Sequence, residues 1–401
     1  MRRTSTVNPT MVAPYLPIDE GFLIRTAVDL VQIDSRNPSL SPDAPGEAVI
    51  GGYVAETLTE LGLEVTTHKL APGRVNVVGV LKGTGGGRSL LLNGHLDTVG
   101  VEGMVEPFSG EIRDGKLYGR GSQDMKGSLA AMVAAVKALV DAGTPLAGDV
   151  VLTLVADEEC YSDGTADIVK HYTADAAIVT EPTDMALCLA HRGFIWYEVE
   201  TFGRAAHGSR YEEGIDANMR MGRFLARLDK LEQALRQRPP HPLAGPPSLH
   251  ASIIEGGTEM STYADHCLLR LERRTIPGEQ QSQATQELQE IIDDLTAEDA
   301  TFKASVRATF ERLPLEARAD ADIVRIVEGA FTDRLGESPA HVGATFWTDA
   351  ALLAAAGMDV MLLGPVGHGL HAAEEWVDLA SVLDLAHVLA DTCARFCAYR
   401  R

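Results

Sequence analysis

Five short runs constrain this chain before anything else does: Val75–Leu81, Ser89–His95, Val150–Val155, Ala176–Thr180 and Val360–Leu363. Each has the length of a strand, and none offers a continuous polar face to water. Successive side chains of a strand point to opposite sides, so such runs must be covered on both faces. The cover is nearby in sequence. Helical spacing marks 18–33, 46–62, a short stretch ending near Tyr172, 320–335 and 378–399. From Met125 to Ala142, Leu129, Met132, Val133, Val136, Leu139 and Val140 recur at helical intervals, with Gly143 as the stop. Strands alternating with helices predict an α/β fold, a mostly parallel sheet with helices on both faces. Chemistry then belongs in the loops at the strand ends. Gly83-Thr84-Gly85-Gly86-Gly87 reads as a turn between strands, because it lacks both the Lys-Ser/Thr ending and the following helix of a phosphate loop.

The pattern changes at Gly193. Phe194–Phe202 alternates, 213–236 is helical, and a proline-rich break at Arg238–Pro242 precedes Ala251–Ile254. His266–Arg274 alternates again, 280–296 is helical and 301–312 is strand-like. This β-α-β-β-α-β order over 194–312 predicts a ferredoxin-like α+β insertion. One domain, 1–193 with 313–401, is thus interrupted by another. Within 266–274, Cys267, Leu269 and Leu271 share the apolar face, whereas Arg270, Glu272 and Arg274 share the other. Arg273 reads as a solvated flank.

Charge narrows the partners. With 35 basic against 57 acidic residues the formal charge is −22 and the pI near 4.9, a field that disfavours nucleic acid and anionic membranes and favours divalent cations. No run approaches the roughly 18 apolar residues of a membrane span. The opening Met1–Pro9 has charge but no apolar core of a signal peptide, so a cytoplasmic location is expected. Five scattered cysteines (Cys160, Cys188, Cys267, Cys393, Cys397) indicate neither a disulfide framework nor a structural zinc site.

Several acids and histidines fall at or just past the ends of these elements, and each has a bland reading. His95 and Asp97 are a histidine backed by a carboxylate, or a surface pair. Asp124 is a cation ligand, or the N-cap of the helix after it. Asp157-Glu158-Glu159 is a solvated loop, or adjacent acids of which one binds a cation and the other acts as a base. Glu181 follows another strand, and His368 and His371 follow the last. Cys160 points away from Glu159 in an extended segment and reads as packing. Taken together, His95, Asp124, Glu159, Glu181 and His371 are N/O donors without a thiolate, suited to two ions sharing a carboxylate.

Gly94–Val99, Gly119–Gly127, Asp157–Glu159, Thr180–Thr183, Arg273–Glu279 and Leu370–Val377 occur in an order and spacing that resemble the M20 family of metallohydrolases. The likeness is to its acetylornithine deacetylase/succinyl-diaminopimelate desuccinylase branch, over nearly the whole chain from residue 18. It implies hydrolysis of the amide bond of N-acyl amino acids, with dipeptidase or carboxypeptidase activity as the alternative. It also implies two divalent ions, Zn²⁺ first and Co²⁺ or Mn²⁺ otherwise, and a lid domain at 194–312 that makes a homodimer contact. By this resemblance His95 and Glu181 hold one ion, Glu159 and His371 the other, and Asp124 bridges them. Asp97 orients His95, and Glu158 is the general base. His207, in Ala205–Ser209, stabilises the oxyanion, and Arg274 holds the substrate carboxylate. Gly208, Arg210 and Tyr211 depart from the family's pattern beside His207. Glu at 181 favours a deacylase over an aminopeptidase.

Overall fold

The computed structural model describes residues 16–398, so the reading of Met1–Pro9 lies outside the described residues. The chain forms two compact units, the first drawn from Met1–Met185, Asp322–Pro339 and Leu363–Arg401, the second from Ala186–Ala321 and Ala340–Leu362. In chain order the first opens with α1 (Glu20–Gln32), α2 (Ala48–Glu60), β1 (Glu64–Ala71), β2 (Arg74–Leu81), β3 (Leu90–His95), β4 (Ile112–Arg113), β5 (Lys116–Tyr118), α3 (Gly127–Asp141), β6 (Val150–Val155), α4 (Asp163–Ile168) and β7 (Ala176–Val179). The second supplies β8 (Leu187–His191), β9 (Gly193–Phe202), α5 (Ala217–Arg236), β10 (Ser248–Gly256), β11 (His266–Thr275), α6 (Gln281–Glu298), β12 (Lys303–Arg312) and β13 (Leu315–Glu316). The chain returns to the first with α7 (Asp322–Leu335) and to the second with β14 (His341–Ala344), α8 (Ala350–Ala355) and β15 (Asp359–Leu362). It ends in the first with β16 (Gly367–His368), β17 (Trp376–Asp378) and α9 (Leu379–Cys397).

In the first unit the strands lie in the order β1-β2-β6-β3-β7. The last three of these, β6, β3 and β7, are parallel, whereas β2 runs antiparallel to both β1 and β6. Every residue of β3 and β6 is buried, as their mostly apolar character demands, and the polar Asn93 and Thr153 pair through Asn93 Nδ2 to Thr153 Oγ1 at 3.1 Å. Helix α3 is apolar around most of its circumference and is buried along nearly its whole length. Helices α1 and α9 start at caps that accept from the backbone, Asp19 from Phe22 and Asp378 from Ser381. The glycine loop 83–87 is not a hairpin turn: it joins β2 to β3, but β6 lies between them. It packs instead against 146–148, with Thr84 and Gly85 N–H donating to the Leu146 and Ala147 carbonyls at 2.8 and 2.9 Å. The chains approach so closely that a Cβ on Gly148 would lie 1.8 Å from the Arg88 carbonyl oxygen.

In the second unit β9, α5, β10, β11, α6 and β12 build a sheet of order β10-β11-β9-β12, every neighbouring pair antiparallel. That is the ferredoxin-like arrangement. Val199, Phe224, Leu228, Leu269, Leu288 and Phe302 form the core between the sheet and its helices. The solvated reading of Arg273 is corrected. By strand alternation it shares the buried face with Leu271, and its guanidinium, 2% exposed as a residue, pairs with Glu279 at 2.8 Å. The unit is also larger than the 194–312 segment, because β8, β13, β14 and β15 pair with one another beside it. Among the described residues no helix is long and apolar enough to cross a membrane.

Candidate metal centre

All five ligand candidates belong to the first unit, and they converge. His95 ends β3, Glu159 follows β6, Glu181 follows β7, Asp124 lies in the irregular turn before α3, and His371 lies in the loop between β16 and β17. His95, Asp124 and Glu181 form one group and Asp124, Glu159 and His371 a second, with the donor atoms of each group within 4.8 Å of one another. Asp124 belongs to both. Its Oδ1 lies 2.9 Å from His95 Nε2 and its Oδ2 3.6 Å from His371 Nε2. Glu181 Oε1 is 3.7 Å from His95 Nε2, and Glu159 Oε2 is 3.2 Å from His371 Nε2. The capping alternative for Asp124 is not realised: α3 begins after Lys126 with no side-chain cap, and the Asp124 carboxylate turns to the histidines.

A second layer of hydrogen bonds holds these groups, and most of it is not legible in the sequence. Glu375, 1% exposed, anchors the turn that carries Asp124: Oε1 accepts from the N–H groups of Gln123 and Asp124 at 2.9 and 3.1 Å. Its Oε2 accepts from Arg120 Nη1 at 2.7 Å and from Gly121 N–H at 3.0 Å. Asp97 behaves differently from expectation. His95 Nδ1 is bonded to the Asp97 backbone carbonyl at 2.8 Å, while the carboxylate lies 3.7 Å away. The strand ends at His95, so the alternation that would aim the Asp97 side chain at the ring no longer applies. The carboxylate instead accepts from the N–H groups of Glu158 and Glu159, both at 3.2 Å, and from Asn37 Nδ2 at 2.8 Å. Asn37 also donates to Asp157, which Arg74 ties at 2.8 Å, and Arg74 in turn bonds Glu47 at 2.7 Å. A buried polar relay therefore fixes the 157–159 loop from behind.

The electrostatics are those of a site built for cations. Burial opposes charge on His95, but the Glu181 charge and the Asp124 hydrogen bond outweigh it and hold the imidazolium pKa well above its ordinary value. Burial likewise raises Asp124, yet the bonds to His371 and His95 hold its carboxyl well below the usual range. His371 is raised to about 10, first by Asp124 and then by Glu159. Burial, and then the Asp124 charge, push Glu159 up to about 7. One Glu159 oxygen, Oε1, is buried without a hydrogen-bond partner. An orphaned carboxylate oxygen and two imidazoles around one shared carboxylate fit two divalent ions with N/O ligands.

The remaining candidates are placed as follows. Glu158 stands in neither ligand group. His368 stacks on Trp376 at 5.9 Å, so His371 is the loop histidine that joins the cluster. Cys160 is outside both groups, and burial pushes its thiol up to about 11. In the second unit, Ser209 N–H donates to His207 Nδ1 at 3.2 Å, which leaves Nε2 as the protonated nitrogen. Arg274 Nε donates to Glu272 at 2.6 Å, and its guanidinium lies 5.3 Å from the centre of the Phe194 ring.

Comparison with known proteins agrees with this chemistry. The sequence model described as Peptidase family M20/M25/M40 matches residues 91–395. The chain is 30% identical to an acetylornithine deacetylase of Myxococcus xanthus over 386 residues, covering 94% of this chain and 97% of that protein. It is 27% identical to an N-formyl-4-amino-5-aminomethyl-2-methylpyrimidine deformylase of Bacillus subtilis strain 168, covering 90% and 92%. The fold is similar to that of the aminopeptidase PepT from Bacillus cereus ATCC 10987, with a TM-score of 0.78, 20% identity, and coverage of 94% of this chain and 99% of that one.

Two outcomes are expected. Glu375→Gln removes the charge that holds the 120–124 turn, so Zn²⁺ retention against a competing chelator should weaken about 10–100-fold, with the exposed Glu374→Gln as a neutral control. Zn²⁺ retention unchanged in Glu375→Gln would remove that anchoring role. Proton linkage is the second. The metal-free His371 keeps its proton up to about pH 10 and must lose it to ligate, so binding expels a proton and apparent affinity rises with pH. Calorimetric Zn²⁺ titrations at about pH 6 to 9, in buffers of different ionisation enthalpy, should register that release. A pH-independent affinity would contradict it.

Proposed function

Because the chain belongs to peptidase family M20/M25/M40 and is an amide-bond hydrolase, we propose that it removes the acyl group from N-acyl amino acids, in a metal-dependent reaction of deacetylase/desuccinylase type. The observation that carries this reading is Asp124 shared between two groups of N/O donors, with Glu158 beside them and outside both. Two divalent ions, Zn²⁺ in our reading, would supply Lewis acidity toward the acyl carbonyl and the attacking water. His95 and Glu181 would hold one, Glu159 and His371 the other, and Asp124 both. Every remaining step belongs to side chains of this chain.

Glu158 takes the proton of the attacking water on its carboxylate and returns it to the nitrogen of the leaving amine. Asp97 positions that base, because its carboxylate receives the backbone N–H of Glu158. His207 donates from Nε2 to the oxyanion of the tetrahedral intermediate, a role supported by Nδ1 being occupied as an acceptor. Arg274 holds the α-carboxylate of the substrate. Glu at position 181 favours the deacylase reading over an aminopeptidase. Five unpaired cysteines support a reducing, cytoplasmic setting.

The second unit is proposed as a lid that also dimerises. Strand β10 is an edge strand of its sheet, and Ile253 and Ile254 are 49% and 54% exposed on it, an unpaired edge suited to the same strand of a second copy.

The metal-loaded protein should hydrolyse N-acetyl, N-succinyl or N-formyl amino acids faster than dipeptides in a substrate panel. A preference for dipeptides would establish the alternative. In the same assay Glu158→Gln should bind its metal normally and lose several orders of magnitude in kcat, since an amide cannot take the proton; full activity there would remove Glu158 from the mechanism. For the assembly, light scattering should give a dimer mass for the wild type and a monomer mass for the Ile253→Lys/Ile254→Lys double variant. A monomeric wild type would end that proposal.

A further inference from the structure

Outside the catalytic centre, strand β1 and the segment ending α4 bring together a second set of ligand-type side chains. His68 sits on the partly buried side of β1, which is an edge strand. Asp167 lies in α4 and His171 four residues later in the turn that continues it, so both project on one side toward His68. The donor atoms of His68, Asp167 and His171 all lie within 4.8 Å of one another, and the cluster shares no residue with either catalytic group.

The distances say what kind of cluster this is. His68 Nδ1 lies 3.4 Å from Asp167 Oδ2, and His171 Nε2 lies 3.7 Å from Asp167 Oδ1. Both exceed the roughly 2.7–3.2 Å of an N–H···O bond. The first is close to the separation of neighbouring ligands around a tetrahedral ion, about 3.3 Å when each bond is about 2.0–2.1 Å, and the half-exposed His171 would close the rest by a small side-chain movement. The catalytic groups have the same character, with His–Glu separations of 3.7 and 3.2 Å. The two rings, 5.3 Å apart and tilted by 42°, converge on the carboxylate without stacking flat. On the far side of His68, Nε2 lies 3.3 Å from the Tyr172 hydroxyl, the outer partner that leaves Nδ1 to face the cluster. Lys170 Nζ lies 3.8 Å from Asp167 Oδ1, and at 66% exposure it can swing clear.

We propose that His68, Asp167 and His171 form an accessory binding site for one divalent transition ion. Two imidazoles and a carboxylate select Zn²⁺, Ni²⁺ or Cu²⁺ over Mg²⁺ and Ca²⁺. The side chains are 19%, 21% and 51% exposed, which leaves the remaining coordination positions to water and makes the ion exchangeable. Its effect would be mechanical. Helix α4 is tied to the active-site loop by Ser162 N–H to the Asp157 carbonyl at 2.5 Å and Gly164 N–H to the Ala156 carbonyl at 3.1 Å. An ion here clamps that segment to β1 without touching the reacting atoms.

The test is a Zn²⁺ titration of the chelator-treated full chain, with bound metal counted by elemental analysis past saturation of the wild type. His171→Ala and Asp167→Asn should each bind one equivalent less than the wild type and keep its amide-hydrolysing turnover, since neither side chain belongs to the core or to the catalytic groups. Their thermal midpoint should also rise less with added Zn²⁺. The difference is read whatever number of ions the catalytic centre holds. Equal metal counts in wild type and both variants, with circular dichroism showing them folded, would reduce the cluster to a histidine pair beside an aspartate and overturn the proposal.

Discussion

One carboxylate facing two imidazoles organises the first unit. Asp124 presents Oδ1 to His95 and Oδ2 to His371, and each histidine has its own glutamate behind it. Carboxylates this close repel one another, and burial first, then the Asp124 charge, pushes Glu159 up to about 7. Such an arrangement persists only if the backbone delivering each acid is held by something stronger than the repulsion. Glu375 and Asp97 do this from two sides. Each is a buried carboxylate that spends its acceptor capacity on backbone N–H groups of a ligand-bearing loop. Charged acceptors on neutral donors make short, strong bonds and fix a loop more tightly than water could.

What could be read from the sequence follows from which physics is local. The buried strands and long helices have their own periodicity, and β3, β6, β7, α3 and α9 lie within a few residues of where that periodicity puts them. The ligand candidates are legible because each stands at or near the end of such an element. Strand partners are not local. Nothing in 75–95 says that β6 will separate β2 from β3, since that choice depends on where residues 150–155 find a matching edge. Glu375 was hidden for a related reason. It stands beside Glu374 in an acidic pair, and only the fold reveals that one side chain is buried against a turn 250 residues earlier. Arg273 is the opposite case. Its alternation with Leu271 puts it on the apolar face, against the usual expectation that a charge belongs in water. Glu279 makes its burial tolerable.

The same alternation separates Arg273 from Arg274, two adjacent arginines with different work. Arg273 is committed to Glu279 and Glu287 beneath the sheet. Arg274 lies on the other face with Phe194, Trp196 and Phe310, whose rings stand 5.1 to 5.9 Å apart, and Glu272 holds its Nε. An arginine over an aromatic ring is prepared for a planar anion: Phe194 strips water from one side of the guanidinium and Glu272 fixes its rotamer. The carboxylate-binding role proposed for Arg274 therefore rests on its surroundings as well as on its place in the motif.

Two clusters in this chain use the same ligand types, and what separates them is the framework. At the candidate metal centre His95 is 1% exposed, and Asp124 sits in a turn whose N–H groups Glu375 holds. There the donor side chains are held by buried hydrogen bonds, and the Asp124 and Glu159 carboxylates raise His371 to about 10. Around His68 no buried carboxylate of that kind is seen among the described hydrogen bonds; a tyrosine hydroxyl at 3.3 Å is the outer partner, and His171 is half exposed. Ordering exposed side chains costs conformational entropy that a fixed framework has already removed. Identical donors can then hold an ion tightly in one place and exchangeably in another, and the difference lies in the hydrogen bonds one layer behind them.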